Sequence, residues 1–76
     1  MAIDYERMNK IYPRQKAALT RALNQKDPAK RVDAVIVACK AAVTEWEAIG
    51  AWPDNWSRWQ RALSDVGIVN RLEDYA

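Results

Sequence analysis

Trp46-Glu47-Ala48-Ile49-Gly50-Ala51-Trp52-Pro53-Asp54-Asn55-Trp56-Ser57-Arg58-Trp59 is the stretch on which the fold turns. It holds all four tryptophans of a 76-residue chain that has no Phe and no His. Gly50 supplies the left-handed residue that commonly ends a helix, and Pro53 suits a first helical position because its missing N–H costs nothing there. One helix therefore ends near residue 48 and another begins near 53. Downstream of the break, Trp56, Trp59, Leu63 and Val66 recur at the spacing of one helix face, with Trp52 just ahead to staple the first turn. Asp54 complements the positive end of the helix dipole, and Gly67 ends the helix after residue 66.

Upstream, Asp27-Pro28 is the clearest start signal: Asp27 can accept from the first free amides and Pro28 occupies the first turn. From there Val32, Val35, Ile36, Cys39, Ala42, Val43, Trp46 and Ile49 fall at three- and four-residue steps. A stripe that broad contacts two neighbours at once, so the helix over about 28–48 is the central one. The N-terminal segment, about 4–25, has helical periodicity interrupted by Pro13, which biases Tyr12 away from helical dihedrals. Either one kinked helix covers it, or a short turn precedes a helix from 13. If it is continuous, Tyr5, Met8, Tyr12, Leu19 and Leu23 share one side, and Arg7, Lys10, Arg14 and Arg21 lie in a narrow arc on the other. Short connections join three helices into an all-α, single-domain three-helix bundle over 1–76. The tail 67–76 adds one short fourth helical turn that closes the bundle, or projects as a hook for a partner.

Composition narrows the function. Half the residues are apolar with few Gly and Pro, which is the make-up of a folded domain. A single Cys39 cannot form an internal disulfide, and no apolar run approaches the ~20 residues of a membrane span, so a cytoplasmic, membrane-free chain is expected. Asp4, Glu6 and Arg7 near the start do not read as an export signal. Without His, the ligands of zinc sites and most nucleophile–base pairs are missing, and the carboxylates are dispersed; no catalytic residue, cofactor or metal is expected, and the chain reads as a non-enzyme. Cys39 sits on the inward stripe as a small hydrophobe.

The charge is unevenly placed. Residues 1–31 hold eight Lys or Arg against three acids, and residues 32–76 hold four against seven. The basic arc of Arg7, Lys10, Arg14 and Arg21 is either a solvated face or a set of phosphate contacts, making nucleic-acid binding the alternative function. The aromatic run beside Arg58 and Arg61 has the chemistry of a stacking surface, but the same residues fall on the stripe that the third helix must bury. Trp52, at the helix entrance, is the tryptophan expected to reach the surface. With Leu72 and Tyr75 of the tail it forms the candidate partner-binding set, beside further surplus apolar groups at Tyr5, Met8 and Val37.

The segment from Thr44 to Leu63, TEWEAIGAWPDNWSRWQRAL, resembles a phrase found in small helical proteins of unassigned function from actinobacteria and their phages. Lys16-Ala17-Ala18-Leu19-Thr20-Arg21-Ala22 and Asp27-Pro28 are similar to the same group. The resemblance covers well over half the chain. It implies a small bacterial or phage accessory protein and brings no activity or binding residue with it. The leading expectation is a helical protein-interaction module that binds a host protein or a second copy of itself.

Overall fold

The structure, a computed structural model, describes residues 3–75. Three α-helices and a terminal 3-10 turn make the whole of its regular structure: α1 Tyr5–Leu23, α2 Pro28–Ile49, α3 Ser57–Asp65, and the 3-10 turn Leu72–Tyr75. The chain is an all-α three-helix bundle, and α2 is the element against which α1, α3 and the tail all pack.

Local chemistry sets the ends of α2. The Asp27 carboxylate accepts from the amides of Ala29 (2.9 Å) and Lys30 (3.4 Å), and Pro28 is the first helical residue. At the far end Gly50 takes φ 88°, and the amides of Gly50 and Ala51 both donate to the Trp46 carbonyl. That closure satisfies an otherwise orphaned helix-end acceptor and turns the chain back. Gly67 repeats the device after α3, with φ 84° and the Ile68 amide donating to the Leu63 carbonyl at 2.9 Å.

α1 runs without a break through Pro13, which settles the alternative left open by the sequence. Pro13 costs the helix one donor, but its ring is exposed and clear of the core. Asp4 caps α1 by accepting from the Arg7 amide at 3.0 Å. The face turned to α2 comprises buried Leu19 and Ala22 with half-buried Met8, Ile11, Tyr12, Gln15 and Ala18. Tyr5 and Leu23, expected on the same side, lie at the two ends of the helix and are exposed.

The inward stripe of α2 buries Val35, Cys39, Ala42, Val43, Trp46 and Ile49, with Val32 and Ile36 half-buried. From α3 come Trp59, Ala62 and Leu63, and the tail adds Leu72. Two glutamines lock the packing. Gln15 accepts from the Trp46 indole N–H (2.8 Å) and donates to the Ala42 carbonyl (3.4 Å), tying α1 to α2. Gln60 accepts from the Leu72 amide (2.9 Å) and donates to the Asn70 carbonyl (3.1 Å), tying the tail to α3. The tail therefore closes the bundle, and Lys40 lies over the Tyr75 ring at 5.7 Å.

The third helix departs from its expected bounds. It begins at Ser57 rather than 53, because Pro53 is buried and the residues after it form a tight turn. The amide of Trp56 donates to the Pro53 carbonyl (3.1 Å), Arg58 to Asn55 (3.0 Å) and Trp59 to Trp56 (3.0 Å), a three-residue pattern that precedes α-helical pairing. Trp56 consequently stands at the N-cap, at the margin of the inward stripe, and Asp54 belongs to the turn instead of the first helical turn.

Candidate partner-binding surface

The four indoles form a ladder from interior to surface. Trp59 meets Trp46 edge-on, with ring centroids 5.1 Å apart and planes at 87°. Trp46 meets Trp52 at 5.1 Å and 49°, and Trp52 meets Trp56 at 6.1 Å and 75°. Edge-to-face and tilted contacts at these separations are the favoured arrangements of aromatic quadrupoles, so each ring fixes the next. Trp46 and Trp59 are fully buried, Trp52 is half-buried, and Trp56 is 41% exposed. The ladder thus delivers one well-supported indole to solvent.

This exchanges the expected roles of two tryptophans. Trp52 packs against the core and its indole N–H donates to Glu47 at 3.0 Å. Trp56, expected on the buried stripe, is the one that reaches the surface. The tail candidates are likewise committed inward. Leu72 is 1% exposed and joins the core, and Tyr75 is half-buried beneath Lys40. Leu72 is therefore withdrawn from any exposed contact set.

Trp56 borders an open groove of about 830 Å³ along the outer side of α3, lined also by Asn55, Ser57, Arg58, Gln60, Arg61 and Ser64. A second groove of about 400 Å³ lies on its other side, between Trp56, Gln60, Val69, Arg71 and Glu73. Val69 is 94% exposed there. Among the described residues no ion pair engages Arg58, Arg61 or Arg71. An indole face flanked by unpaired guanidinium groups can stack on a planar or apolar side chain while binding carboxylates bidentately.

Comparison with protein-family models, with curated proteins and with solved structures finds no match for the chain.

The basic arc of α1 is only partly available. Arg7 pairs with Glu45 of α2 at 2.8 Å, and Lys10 lies 3.9 Å from Glu6 one turn earlier. Arg14 and Arg21 are exposed and have no ion pair among the described residues. The sequence shows four cations in one arc; it does not show that Glu45 sits beside the first of them, because that neighbour comes from tertiary packing.

Among the described residues no group of three His, Cys, Asp or Glu side chains is placed to hold a metal ion, and no helix is long and apolar enough to cross a membrane. Cys39 is wholly buried, its thiol near the Trp59 carbonyl at 3.9 Å. Burial pushes that thiol up to about 12 from an ordinary 9.0. Burial, and secondarily the Asp54 carboxylate, also raise the Tyr12 phenol above its ordinary 10.0. Both groups keep their protons in the folded chain at a pH where the unfolded chain has lost them. The Cys39 contribution to stability is therefore fully present below pH 9.0 and is lost as pH rises toward about 12, and the Tyr12 contribution is likewise lost in alkali above its ordinary 10.0. Urea midpoints measured across that alkaline range should fall steadily, and Cys39→Ala should flatten the early part of the decline. A midpoint indifferent to alkali would show that the thiol is not held in an apolar environment.

Proposed function

We propose that this chain is a small helical protein-interaction module whose contact face is centred on Trp56. The observation that carries the reading is the exposure of this one indole, braced by the other three, in a groove shared with Arg58 and Arg61. Trp and Arg are the residue types that dominate binding energy at protein interfaces, and a pre-positioned aromatic loses little entropy on binding. The partner that fits is a protein surface offering an apolar or aromatic group to Trp56 and carboxylates to the guanidinium groups. A host protein or a second copy of the chain would suit a bacterial or phage accessory protein.

Charge favours protein over nucleic acid here. Residues 54–75 carry Arg58, Arg61 and Arg71 against Asp54, Asp65, Glu73 and Asp74, a balance that attracts a few carboxylates and repels a polyanionic backbone. The competing reading, nucleic acid on α1, retains Arg14 and Arg21 as its unpaired contacts, since Arg7 is engaged by Glu45.

The test uses the full chain as bait against a bacterial host lysate, alongside Trp56→Ala and the double variant Arg58→Ala, Arg61→Ala, with sedimentation of the purified chain over a wide concentration range. A partner or a self-association that is held by the parent and lost by Trp56→Ala is the expected result. A chain that stays monomeric and captures nothing, or whose capture ignores Trp56→Ala, would overturn the proposal.

A further inference from the structure

The hairpin of α1 and α2 is covered by α3 on one side only. Cys39 marks the covered side, its thiol 3.9 Å from the Trp59 carbonyl of α3. Val37 stands about 160° from Cys39 around α2, so it points away from α3. It is 66% exposed. Beside it a groove of about 380 Å³ runs between the two helices. Half-buried Ala18, Ala34 and Ala38 and buried Ala22 make its floor, exposed Val37 and Ala41 its α2 wall, and Arg21 and Gln25 its α1 wall. Alanine side chains let a third helix axis approach to about 8 Å, and Val37 leaves apolar surface in water that such a helix would cover.

The charges around the groove decide what fits it. Arg14 and Arg21 lie one turn to either side of Ala18 on the same face of α1. Arg31 stands at the loop end, its Nε donating to the Gln25 carbonyl at 2.8 Å, and Lys30 precedes Ala34 by one turn of α2. Among the described residues none of these four cations has an ion pair. Against them stand Asp33, one turn before Val37, Asp27, whose carboxylate caps α2, and Glu45, which Arg7 occupies at 2.8 Å. An apolar trough rimmed by free cations complements a helix that carries an apolar stripe between acidic flanks. A second copy of the chain fits poorly, because a two-fold interface would set the same basic rim against itself. Nucleic acid would satisfy the cations but leave Val37 and the alanines uncovered, and no aromatic ring lines the groove for a base to stack on.

We propose that the α1–α2 groove docks an amphipathic helix of a partner protein, with small or medium apolar residues seated on the alanines and Val37 and with Asp or Glu flanks reaching Arg14, Arg21, Lys30 and Arg31. The groove shares no residue with the grooves beside Trp56, so the two surfaces stand or fall separately.

The probes are two fluorescein-labelled peptides of about 20 residues, long enough to be helical, that share one stripe of Leu and Ala. One has Glu on both flanks and the other has Lys. Anisotropy titration with the full chain should show saturable binding of the Glu-flanked peptide, with the Lys-flanked peptide at least about tenfold weaker. The charge-neutral double variant Val37→Ser, Ala41→Gln, at exposed positions that leave the core alone, should weaken the Glu-flanked peptide about tenfold, as should Arg14→Gln with Arg21→Gln. Both double variants should melt like the parent, and Trp56→Ala should bind like it. No binding of either peptide, equal binding of both, binding that ignores Val37→Ser, Ala41→Gln and so rests on charge alone, or binding lost in Trp56→Ala would overturn the proposal. A random-sequence DNA duplex that binds more tightly than the Glu-flanked peptide and is released by the arginine variant would also overturn it, giving the face to nucleic acid. Self-association abolished by Val37→Ser, Ala41→Gln would do the same, giving the face to a second copy.

Discussion

Trp46→Ala should leave the domain largely unfolded at room temperature. Trp46 is the hub of the ladder, touching Trp59 on one side and Trp52 on the other, and its indole N–H donates to Gln15. Truncating a fully buried Trp removes about 3–5 kcal/mol through lost transfer energy and the cavity left behind. The change also strands the Gln15 carbonyl, whose pairing holds α1 to α2, at a further cost of roughly 1 kcal/mol. A chain of 76 residues has a total stability of about 4–11 kcal/mol from which to absorb that loss. Circular dichroism and urea titration would read the effect directly. A variant that melts within a few degrees of the parent would mean that the ladder is not what holds the bundle together.

Leu72→Ala should also be strongly damaging, although the residue lies in the tail that follows α3. Leu72 is buried against α2 in a cluster with Leu63 and Val43, and its amide donates to Gln60. Loss of the side chain should cost about 2–5 kcal/mol, toward the lower end if the tail detaches as a unit and spares the remainder. Those two outcomes separate by amide exchange. Detachment alone would raise exchange at Ile68–Tyr75 and leave α1 unchanged, whereas global destabilisation would raise it everywhere. Stability equal to that of the parent would show that the tail contributes no core.

The sequence conveys the bundle because its signals are local. Asp27 with Pro28 opens α2, Gly50 closes it, and the residues at three- and four-step spacing from Val35 to Ile49 are the ones that are buried. Each of these depends on hydrogen bonds or periodicity within a few residues. What the sequence does not convey depends on where other elements lie. Pro53 satisfies the rule for a first helical residue, yet its ring is taken up in packing, and the turn that follows delays α3 to Ser57. That delay shifts Trp56 to the margin of the stripe and brings it out beside Arg58 and Arg61. Trp59, three residues later and about 60° around the helix, stays inside. The basic arc behaves in the same way: helical spacing groups Arg7 with Arg14 and Arg21, and only the docking of α2 places Glu45 against Arg7. Pro13 lies in a continuous helix because α1 is held to α2 by Leu19, Ala22 and Gln15, contacts that outweigh one missing backbone donor.

The division of the tryptophans into three that build the core and one that is held out for a partner is the central claim. The most direct measurement is the unfolding free energy of Trp56→Ala in urea, beside Trp59→Ala under the same conditions. Trp56→Ala should lose no more than about 1 kcal/mol, since the residue is 41% exposed and gives up one edge contact, against about 3–5 kcal/mol for Trp59→Ala. Equal losses for the two variants would contradict it, returning Trp56 to the core and removing the surface on which the proposed function depends.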